Sequence, residues 1–195
     1  MRIHKGASYL AQADPQLAAI IEKIGTIEMP LPKGNFESLV DSIVSQQLST
    51  KAAATIFKRL SLALENDITP QRVLRTDDQT LRNAGLSGQK TNYLAALSEA
   101  FIEKPKDYEN LHRQTDAEVI ELLTAIKGIG VWTAQMFLIF TLLREDVFPV
   151  GDLGVRRGME RLYFEGEKQS YDVLTQRAEI WAPYRSVASL YLWQS

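Results

Sequence analysis

The chain has 195 residues, enough for one domain, or at most two, to bury a core without disulfides or a structural metal. Apolar residues make up 45% and charged residues 24% of the sequence, which is ordinary for a globular protein and excludes disordered, collagen-like and coiled-coil classes. A formal net charge of −2 argues against a protein that coats nucleic acid, although cations can still be placed locally. Cysteine is absent and only His4 and His112 are present, which excludes thiolate metal sites and cysteine nucleophiles and leaves little for a histidine metal centre.

Targeting and membrane segments are not apparent in the sequence. No stretch reaches the roughly 18 to 20 uncharged apolar residues that a membrane span needs. The first residues, 1–13, contain Lys5 but no apolar core of a signal peptide. We therefore expect a protein without a membrane partner that is located in the cytoplasm.

Helix start and stop signals recur along the chain. Asp14 followed by Pro15 is typical of a helix N-terminus, and Thr115 with Glu118 fits a capping box. Predicted helices begin at or near Asp14, Asn35, Ser49, Thr69, Thr76, Gln89, Thr115, Val131, Asp152, Ser170 and Pro183. Only 146–150 looks extended, and no segment alternates with a period of two. The sequence therefore predicts an all-α fold of about ten helices.

A glycine-rich turn, Gly128-Ile129-Gly130, separates two of these helices. Glycine permits positive φ angles and lets another backbone come close. The first N–H groups of the second helix would then point outward at the positive end of the helix dipole, where they could bind a phosphate. The alternative is a plain pair of helices with a glycine C-cap. The second helix, 131–143, is apolar nearly all round, which indicates a central buried helix.

The loop after that helix completes a wider pattern, Asp146-Val147-Phe148-Pro149-Val150-Gly151-Asp152-Leu153-Gly154. Together with the hairpin, it resembles the helix-hairpin-helix DNA glycosylases that carry a Gly/Pro-rich loop and a catalytic aspartate, in particular the 3-methyladenine DNA glycosylase II type. The resemblance covers roughly Phe36 to Trp193. Its other pieces are Ser45-Gln46-Gln47-Leu48-Ser49 with Lys51-Ala52-Ala53, Gly85-Leu86-Ser87 with Lys90, and Tyr184-Arg185-Ser186 with Trp193.

This resemblance implies a minimal catalytic module, since the N-terminal β-rich domain of the bacterial enzyme has no counterpart here. The expectation is a single glycosylase module over 1–195, with two helical lobes and a cleft between them. One lobe would span about 35–130, and the other the N-terminal helix together with about 131–195. Minimal modules of this family act alone, so we expect a monomer whose partner is double-stranded DNA containing alkylated bases.

By the resemblance, Asp152 is the catalytic aspartate, 20 residues after Trp132. Cleavage of an N-glycosidic bond builds positive charge on the sugar, and a carboxylate about 4 Å away would stabilise that charge by about 4 kcal/mol at an effective dielectric of about 20. The second carboxylate of ordinary glycosidases is not required, because an alkylated purine is already cationic and leaves as a neutral base. Asp152 could also be a helix N-cap, alone or in addition.

Trp132 stands where bifunctional members of the superfamily carry a lysine nucleophile. No Schiff base can form there, so the resemblance implies a monofunctional glycosylase that uses water and leaves an abasic site. Trp132 and Trp193 match aromatic residues of the family's base pocket, where each contact with a cationic base is worth about 0.5 to 2 kcal/mol. Core packing is the alternative for both. Met136 and Leu153 occupy pocket positions that are tyrosines in the bacterial enzyme.

Gln47 matches the residue that wedges into the gap left by a flipped base, and Gln46 would support it. The alternative is simply a polar helix end. The resemblance assigns phosphate binding to the hairpin residues Gly128, Ile129, Gly130 and Thr133. Further candidate phosphate partners, each of which could also be a solvated side chain, are Lys51, Lys90, Arg156 and Arg157.

No cofactor and no catalytic metal are implied. In the family, however, a monovalent or similar cation is held by hairpin carbonyls and bridges to DNA. The matching carbonyls are those of Thr124, Ile126 and Gly128.

The function implied is base excision repair, in which alkylated purines such as 3-methyladenine and 7-methylguanine are flipped out and their N-glycosidic bond is hydrolysed. Two alternatives stay open at this point. One is a non-catalytic DNA-binding module that senses lesions, and the other is a glycosylase for deaminated or etheno-modified bases.

Overall fold

The computed structural model describes residues 3–29 and 31–195. Within those ranges the chain forms thirteen α-helices and two 3-10 helices and contains no strand, which confirms the predicted all-α class. The α-helices are α1 (Ile3–Ala13), α2 (Pro15–Ile24), α3 (Asn35–Ser45), α4 (Thr50–Ala63), α5 (Pro70–Arg75), α6 (Asp78–Asn83), α7 (Gly88–Glu103), α8 (Pro105–Glu109), α9 (Asp116–Thr124), α10 (Val131–Phe140), α11 (Leu153–Tyr163), α12 (Tyr171–Ala178) and α13 (Arg185–Leu192). The 3-10 helices are Leu111–Arg113 and Glu179–Trp181.

Capping side chains set several of the helix starts, as the sequence predicts. The side chain of Asp14 accepts hydrogen bonds from the N–H groups of Gln16 and Leu17 at the start of α2. Thr115 and Glu118 form the predicted capping box at the start of α9. Each contact satisfies an N–H group that has no partner inside its own helix.

The described residues form more helices than the sequence predicts, which is about ten. Neither α1 nor α8 is expected from the sequence, because α1 carries a glycine and α8 has only five residues. Packing explains the glycine in α1. A Cβ atom on Gly6 would lie 2.9 Å from Val187 Cγ2, so the glycine lets α1 approach α13 closely. The predicted cap at Asn35 is wrong, because Gly34 holds that position and the Asn35 amide donates to the Tyr108 carbonyl instead.

Helix α10 differs from its prediction in length and exposure. It ends at Phe140, and the backbone has a φ of +54° by Leu143. Ala134, Phe137, Leu138 and Ile139 are buried, as a central helix requires. Val131, Trp132 and Phe140 are 54%, 47% and 37% exposed, so the predicted burial holds for only part of the helix.

The chain divides into two compact units. The middle unit comprises 32–137 and runs from α3 into α10. Helices α3, α4 and α7 contribute fully buried side chains to its core. These side chains include Leu39, Val40, Ile43, Leu60, Leu94 and Leu97. The candidate hairpin and the Gln46-Gln47 segment both belong to this unit.

The terminal unit comprises 1–31 and 138–195. Its core joins side chains from α1, α2, α11, α12 and α13. The members include Leu10, Leu17, Val155, Met159, Leu174, Trp181 and Tyr191. This unit carries Asp152 and Trp193. No helix in the described part of the chain is long and apolar enough to cross a membrane.

Candidate active site and nucleic-acid interface

Asp152 occupies the N-cap position of α11 in the terminal unit. Its Oδ1 atom accepts a hydrogen bond from the Val155 N–H at 2.9 Å and another from the Trp193 indole N–H at 2.7 Å. The carboxylate is therefore a helix cap and is also tied to the end of α13. Of the residues predicted for the site, Asp152 and Trp193 are brought into direct contact.

The Trp193 ring also packs against Phe140 and Gly154. It stacks on Phe140, with ring centroids 5.7 Å apart and planes 27° from parallel. A Cβ atom on Gly154 would lie 2.7 Å from Trp193 Cδ1, so only glycine leaves room for the indole there. The sequence gives no indication of Phe140 as a site residue, because the all-round apolar pattern of α10 conceals which of its side chains are exposed.

The loop that leads to Asp152 is anchored by the start of α13. Arg185 holds Asp146 through three hydrogen bonds, from Nε to Oδ1 at 2.8 Å, from a terminal N–H to Oδ2 at 2.9 Å and from the backbone N–H to Oδ1 at 3.3 Å. This pairing raises the pKa of Arg185, so the guanidinium stays charged. One residue on, the Ser186 hydroxyl accepts the Val147 N–H at 2.8 Å. Helix α13 thus fixes both ends of the segment from Asp146 to Asp152.

The remaining pocket candidates lie on α10 and α11. Leu153 is the first residue of α11 and is 51% exposed. In the middle unit, Trp132 is 47% exposed and Met136 is partly buried. Their spacing of four residues places them on one face of α10. The alternative for Trp132, core packing, is inconsistent with this exposure.

The hairpin contains two glycines with different structural demands. Gly128 has a φ of +97°, and a Cβ atom there would lie 2.3 Å from the Tyr93 ring. At Gly130 a Cβ atom would meet nothing within 4 Å. The fold therefore requires glycine at 128, whereas open space at 130 leaves room for a side chain there. Ile129 and Thr133 are buried and hold the turn and the first turn of α10 in place.

The wedge loop (residues 46–49) follows α3 in the same unit. Gln47 is exposed and has a φ of +58°, a left-handed conformation that non-glycine residues rarely adopt. Gln46 donates from Nε2 to the Gly128 carbonyl at 2.8 Å. The structure thus places the Gln47 side chain at the surface and uses Gln46 to connect this loop to the hairpin.

The four cationic candidates fall into two groups. Lys51 and Arg157 are exposed. The Lys90 ammonium donates to the carbonyls of Val44 and Gln46, so two of its three N–H donors are used at the end of α3. Arg156 is partly buried and lies 5.2 Å from the Tyr171 ring. Sequence spacing could not reveal the partner of Lys90, which lies more than forty residues earlier in the chain.

Among the described residues, no three acidic, histidine or cysteine side chains come together as a metal site. Two of the hairpin carbonyls that the resemblance assigns to a cation already accept a hydrogen bond. The carbonyl of Ile126 accepts the Ile129 N–H at 3.1 Å, and that of Gly128 accepts the Gln46 amide at 2.8 Å. A carbonyl oxygen has two lone pairs, so these atoms still fit a monovalent cation.

The hairpin, the aspartate loop and the all-helical fold define the class of this protein. The chain belongs to the HhH-GPD superfamily of base excision DNA repair proteins, whose pattern matches residues 40–183. The matched region includes Gln47, the hairpin and Asp152.

Several relatives within this family have named activities. The chain is 37% identical over 166 residues to DNA-3-methyladenine glycosylase 1 of Schizosaccharomyces pombe, across 84% of this chain and 73% of the relative. Its fold matches a crystal structure of DNA-3-methyladenine glycosidase from Bacillus halodurans with a TM-score of 0.85 and 41% identity, covering 100% of this chain and 88% of that one. It also matches the S. pombe 3-methyladenine DNA glycosylase Mag1 in complex with abasic DNA, with a TM-score of 0.87, 34% identity, and coverage of 97% and 95%.

Proposed function

We propose that this protein is a DNA glycosylase that hydrolyses alkylated purines, 3-methyladenine above all, out of double-stranded DNA and leaves an abasic site. The observation that carries the proposal is the Asp152 carboxylate, held by two donors at the start of α11 in a chain of this family. The names of the relatives support the choice of substrate. We also expect the protein to act as a monomer and in the cytoplasm.

Asp152 would act on the sugar rather than on the base. As the bond between C1′ and the base nitrogen breaks, its electron pair goes to the cationic purine, which leaves neutral, and positive charge develops on the sugar ring. A carboxylate fixed beforehand stabilises that charge without having to reorganise. Water then attacks C1′ and loses its proton to the carboxylate or to solvent.

Water is the nucleophile because the position of the lysine in bifunctional relatives is Trp132 here. An indole cannot form a Schiff base with the sugar. The DNA strand therefore stays intact after the base is released. This separates the proposed enzyme from a glycosylase that also cleaves the backbone.

Aromatic side chains would select the cationic base. Trp132 and Trp193 offer electron-rich faces, and such a contact with a cation is worth about 0.5 to 2 kcal/mol. Met136 and Leu153 provide apolar contacts without the hydroxyl groups of the tyrosines that the bacterial enzyme carries. We infer that selection relies on the charge of the base more than on hydrogen bonds to it.

DNA would be held by the middle unit. The hairpin around Gly128 and Gly130 would bind a backbone phosphate at the N-terminus of α10, and Gln47 would fill the gap left by the flipped base. A monovalent cation on the carbonyls of Thr124, Ile126 and Gly128 would add positive charge next to that phosphate. Further phosphates would be contacted by exposed Lys51 in the same unit and by exposed Arg157 in the terminal unit.

The test is release of free bases from DNA treated with a methylating agent, by the wild-type protein and by Asp152→Asn. We expect rapid release of 3-methyladenine by the wild type and only a slow residual release by Asp152→Asn, with strands intact until alkali is added. Tight lesion binding by both proteins without release would contradict the enzyme and indicate a lesion sensor. Duplexes with single deaminated or etheno-modified bases, tested in parallel, distinguish the remaining alternative.

A further inference from the structure

The wedge loop of the middle unit is held from two sides. Gln46 donates from Nε2 to the Gly128 carbonyl of the hairpin at 2.8 Å. From α7, the Lys90 ammonium donates to the carbonyls of Val44 at 2.7 Å and of Gln46 at 2.9 Å. These contacts join the end of α3, the wedge loop, the start of α7 and the hairpin, although the segments are far apart in sequence.

The end of α3 needs such support. Gln46 has left the helix with φ −52° and ψ 128°, and Gln47 follows in the left-handed region at φ +58°. The last carbonyls of a helix have no hydrogen-bond donor within the helix. A glycine after the helix often turns the chain so that the next backbone N–H groups bond to these carbonyls. Here the donors come from the Lys90 ammonium, which also places positive charge at the negative end of the helix dipole.

Lys90 is itself firmly placed. It lies in the first turn of α7, where its N–H donates to the hydroxyl of the cap residue Ser87 at 3.3 Å. Its side chain is partly buried, and this burial lowers the pKa of the ammonium. Two carbonyl oxygens replace part of the water that the ammonium gives up.

We propose that Lys90 and Gln46 are positioning residues that couple the wedge loop to the hairpin, so that phosphate binding by the hairpin and insertion of Gln47 into the base stack occur together. The proposal rests on the proposed function of the chain as a base-flipping enzyme. Without the coupling, the hairpin still binds the DNA backbone, but Gln47 is no longer held at a defined position relative to it. Such a protein binds the duplex without opening it.

Two variants break the Lys90 contacts and the Gln46 contact separately. Lys90→Met removes the donors and keeps an unbranched side chain, whereas Gln46→Ala breaks only the side-chain link to Gly128. Lys90→Arg restores donors to the carbonyls. The matched control is Lys106→Met, because Lys106 is an exposed lysine of the same unit. The probe is a duplex with a tetrahydrofuran abasic-site analogue next to 2-aminopurine, whose fluorescence rises when its stacking is lost.

Binding and stack opening are measured separately on this probe, by anisotropy over a range of salt and by 2-aminopurine fluorescence at saturation. We expect Lys90→Met and Gln46→Ala to bind within about threefold of wild type, with an unchanged salt dependence, because no phosphate contact is lost. Both should lose most of the fluorescence rise. Single-turnover excision of 7-methylguanine at saturating enzyme should fall by about tenfold or more. Lys90→Arg and Lys106→Met should behave like wild type.

Two results would overturn the proposal. If Lys90→Met lowers affinity and reduces the slope of log K against log salt by about 0.9 while the fluorescence rise at saturation is normal, Lys90 binds a phosphate. If the variants melt at lower temperature but open the probe normally at saturation, the two residues have only a structural role. If the wild type opens the probe in a Lys90-dependent way but releases no methylated base, the enzyme proposal fails and the coupling stands.

Discussion

The indole N–H of Trp193 donates a 2.7 Å hydrogen bond to Oδ1 of Asp152. The same oxygen accepts the Val155 N–H, so donors from the end of α13 and from the first turn of α11 fix one carboxylate oxygen. A charge that is oriented before the reaction stabilises a transition state without the cost of reorganisation. Trp193 therefore has a role toward Asp152 in addition to any contact with the base.

Trp193→Phe separates these two roles. The substitution removes the N–H donor but keeps an aromatic ring that can stack on Phe140. We expect the single-turnover rate constant of base excision to fall by about tenfold or more, because a hydrogen bond to a charged group is worth about 1.5 to 3 kcal/mol. The enzyme concentration that gives half of the maximal rate should change less. Single-turnover excision of 7-methylguanine measures the effect.

Asp152→Asn provides the control for Trp193→Phe. If the indole acts through the carboxylate, adding Trp193→Phe to Asp152→Asn should cause little further loss, so the two changes are not additive. A further loss as large as in the wild-type background would show that Trp193 contributes through the base alone.

Gly154 should be required for the same arrangement. A Cβ atom at 154 would lie 2.7 Å from Trp193 Cδ1 and 3.2 Å from Asp152 Oδ1. Gly154→Ala should therefore displace the indole, lower the melting temperature and reduce excision; overpacking of this kind costs about 1 to 3 kcal/mol. Gly151→Ala is the matched control for stability, since a Cβ atom there meets nothing within 4 Å. Equal melting temperatures for the two variants would contradict the packing argument.

The sequence predicts what is local in this molecule. The cap at Asp14, the capping box at Thr115, the hairpin turn and Asp152 at a helix start all follow from residue types a few positions apart. The membership of the family rests on the same ordered motifs.

Contacts between distant segments could not be predicted. The pattern around Lys90 is equally compatible with a phosphate partner, and only the fold brings the carbonyls of Val44 and Gln46 to its ammonium. The same holds for Phe140, whose exposure depends on which neighbours α10 acquires. Asn35 failed as a cap because its amide reaches the Tyr108 carbonyl instead of the first turn of its own helix.

The two hairpin glycines should respond differently to alanine. Gly128→Ala combines a left-handed φ with a Cβ atom 2.3 Å from the Tyr93 ring, so we expect a loss of stability of about 2 to 5 kcal/mol. Gly130→Ala meets no neighbour and should fold with nearly wild-type stability. Its methyl group would instead obstruct a DNA backbone that approaches the hairpin. Urea unfolding and anisotropy with abasic-analogue DNA measure the two properties.

Comparing Gly130→Ala with Gly128→Ala distinguishes a glycine that contacts DNA from one that the fold requires. Weakened DNA binding by a normally folded Gly130→Ala would support a close backbone approach at this turn. Unchanged affinity in that variant would mean that the DNA phosphate is not held next to Gly130, and the assignment of the hairpin would have to change.

Asp14 should control the acid stability of the terminal unit. Its carboxylate is 1% exposed and accepts hydrogen bonds from Trp181 at 2.8 Å, Tyr163 at 2.7 Å and Arg177 at 2.9 Å. Burial by itself opposes ionisation, but the hydrogen bonds from Trp181 and Tyr163, the Leu17 N–H and the charge of Arg177 outweigh it and keep the pKa of Asp14 below its ordinary value of 3.8. The folded protein therefore favours the ionised form more than the unfolded chain does.

The sign of the pH effect follows from this lowered pKa. The stabilisation from Asp14 is fully present above the unfolded pKa of about 3.8 and is lost as pH falls through the lower folded pKa. Asp14→Asn should reduce the free energy of unfolding by about 2 to 4 kcal/mol near neutral pH, because it removes one charge from a buried ion pair. The difference from wild type should stay constant from about pH 8 to 5 and shrink below about pH 4. Urea unfolding over this pH range measures it, and a difference that grows toward acid would show that the carboxylate is not the stabilising form.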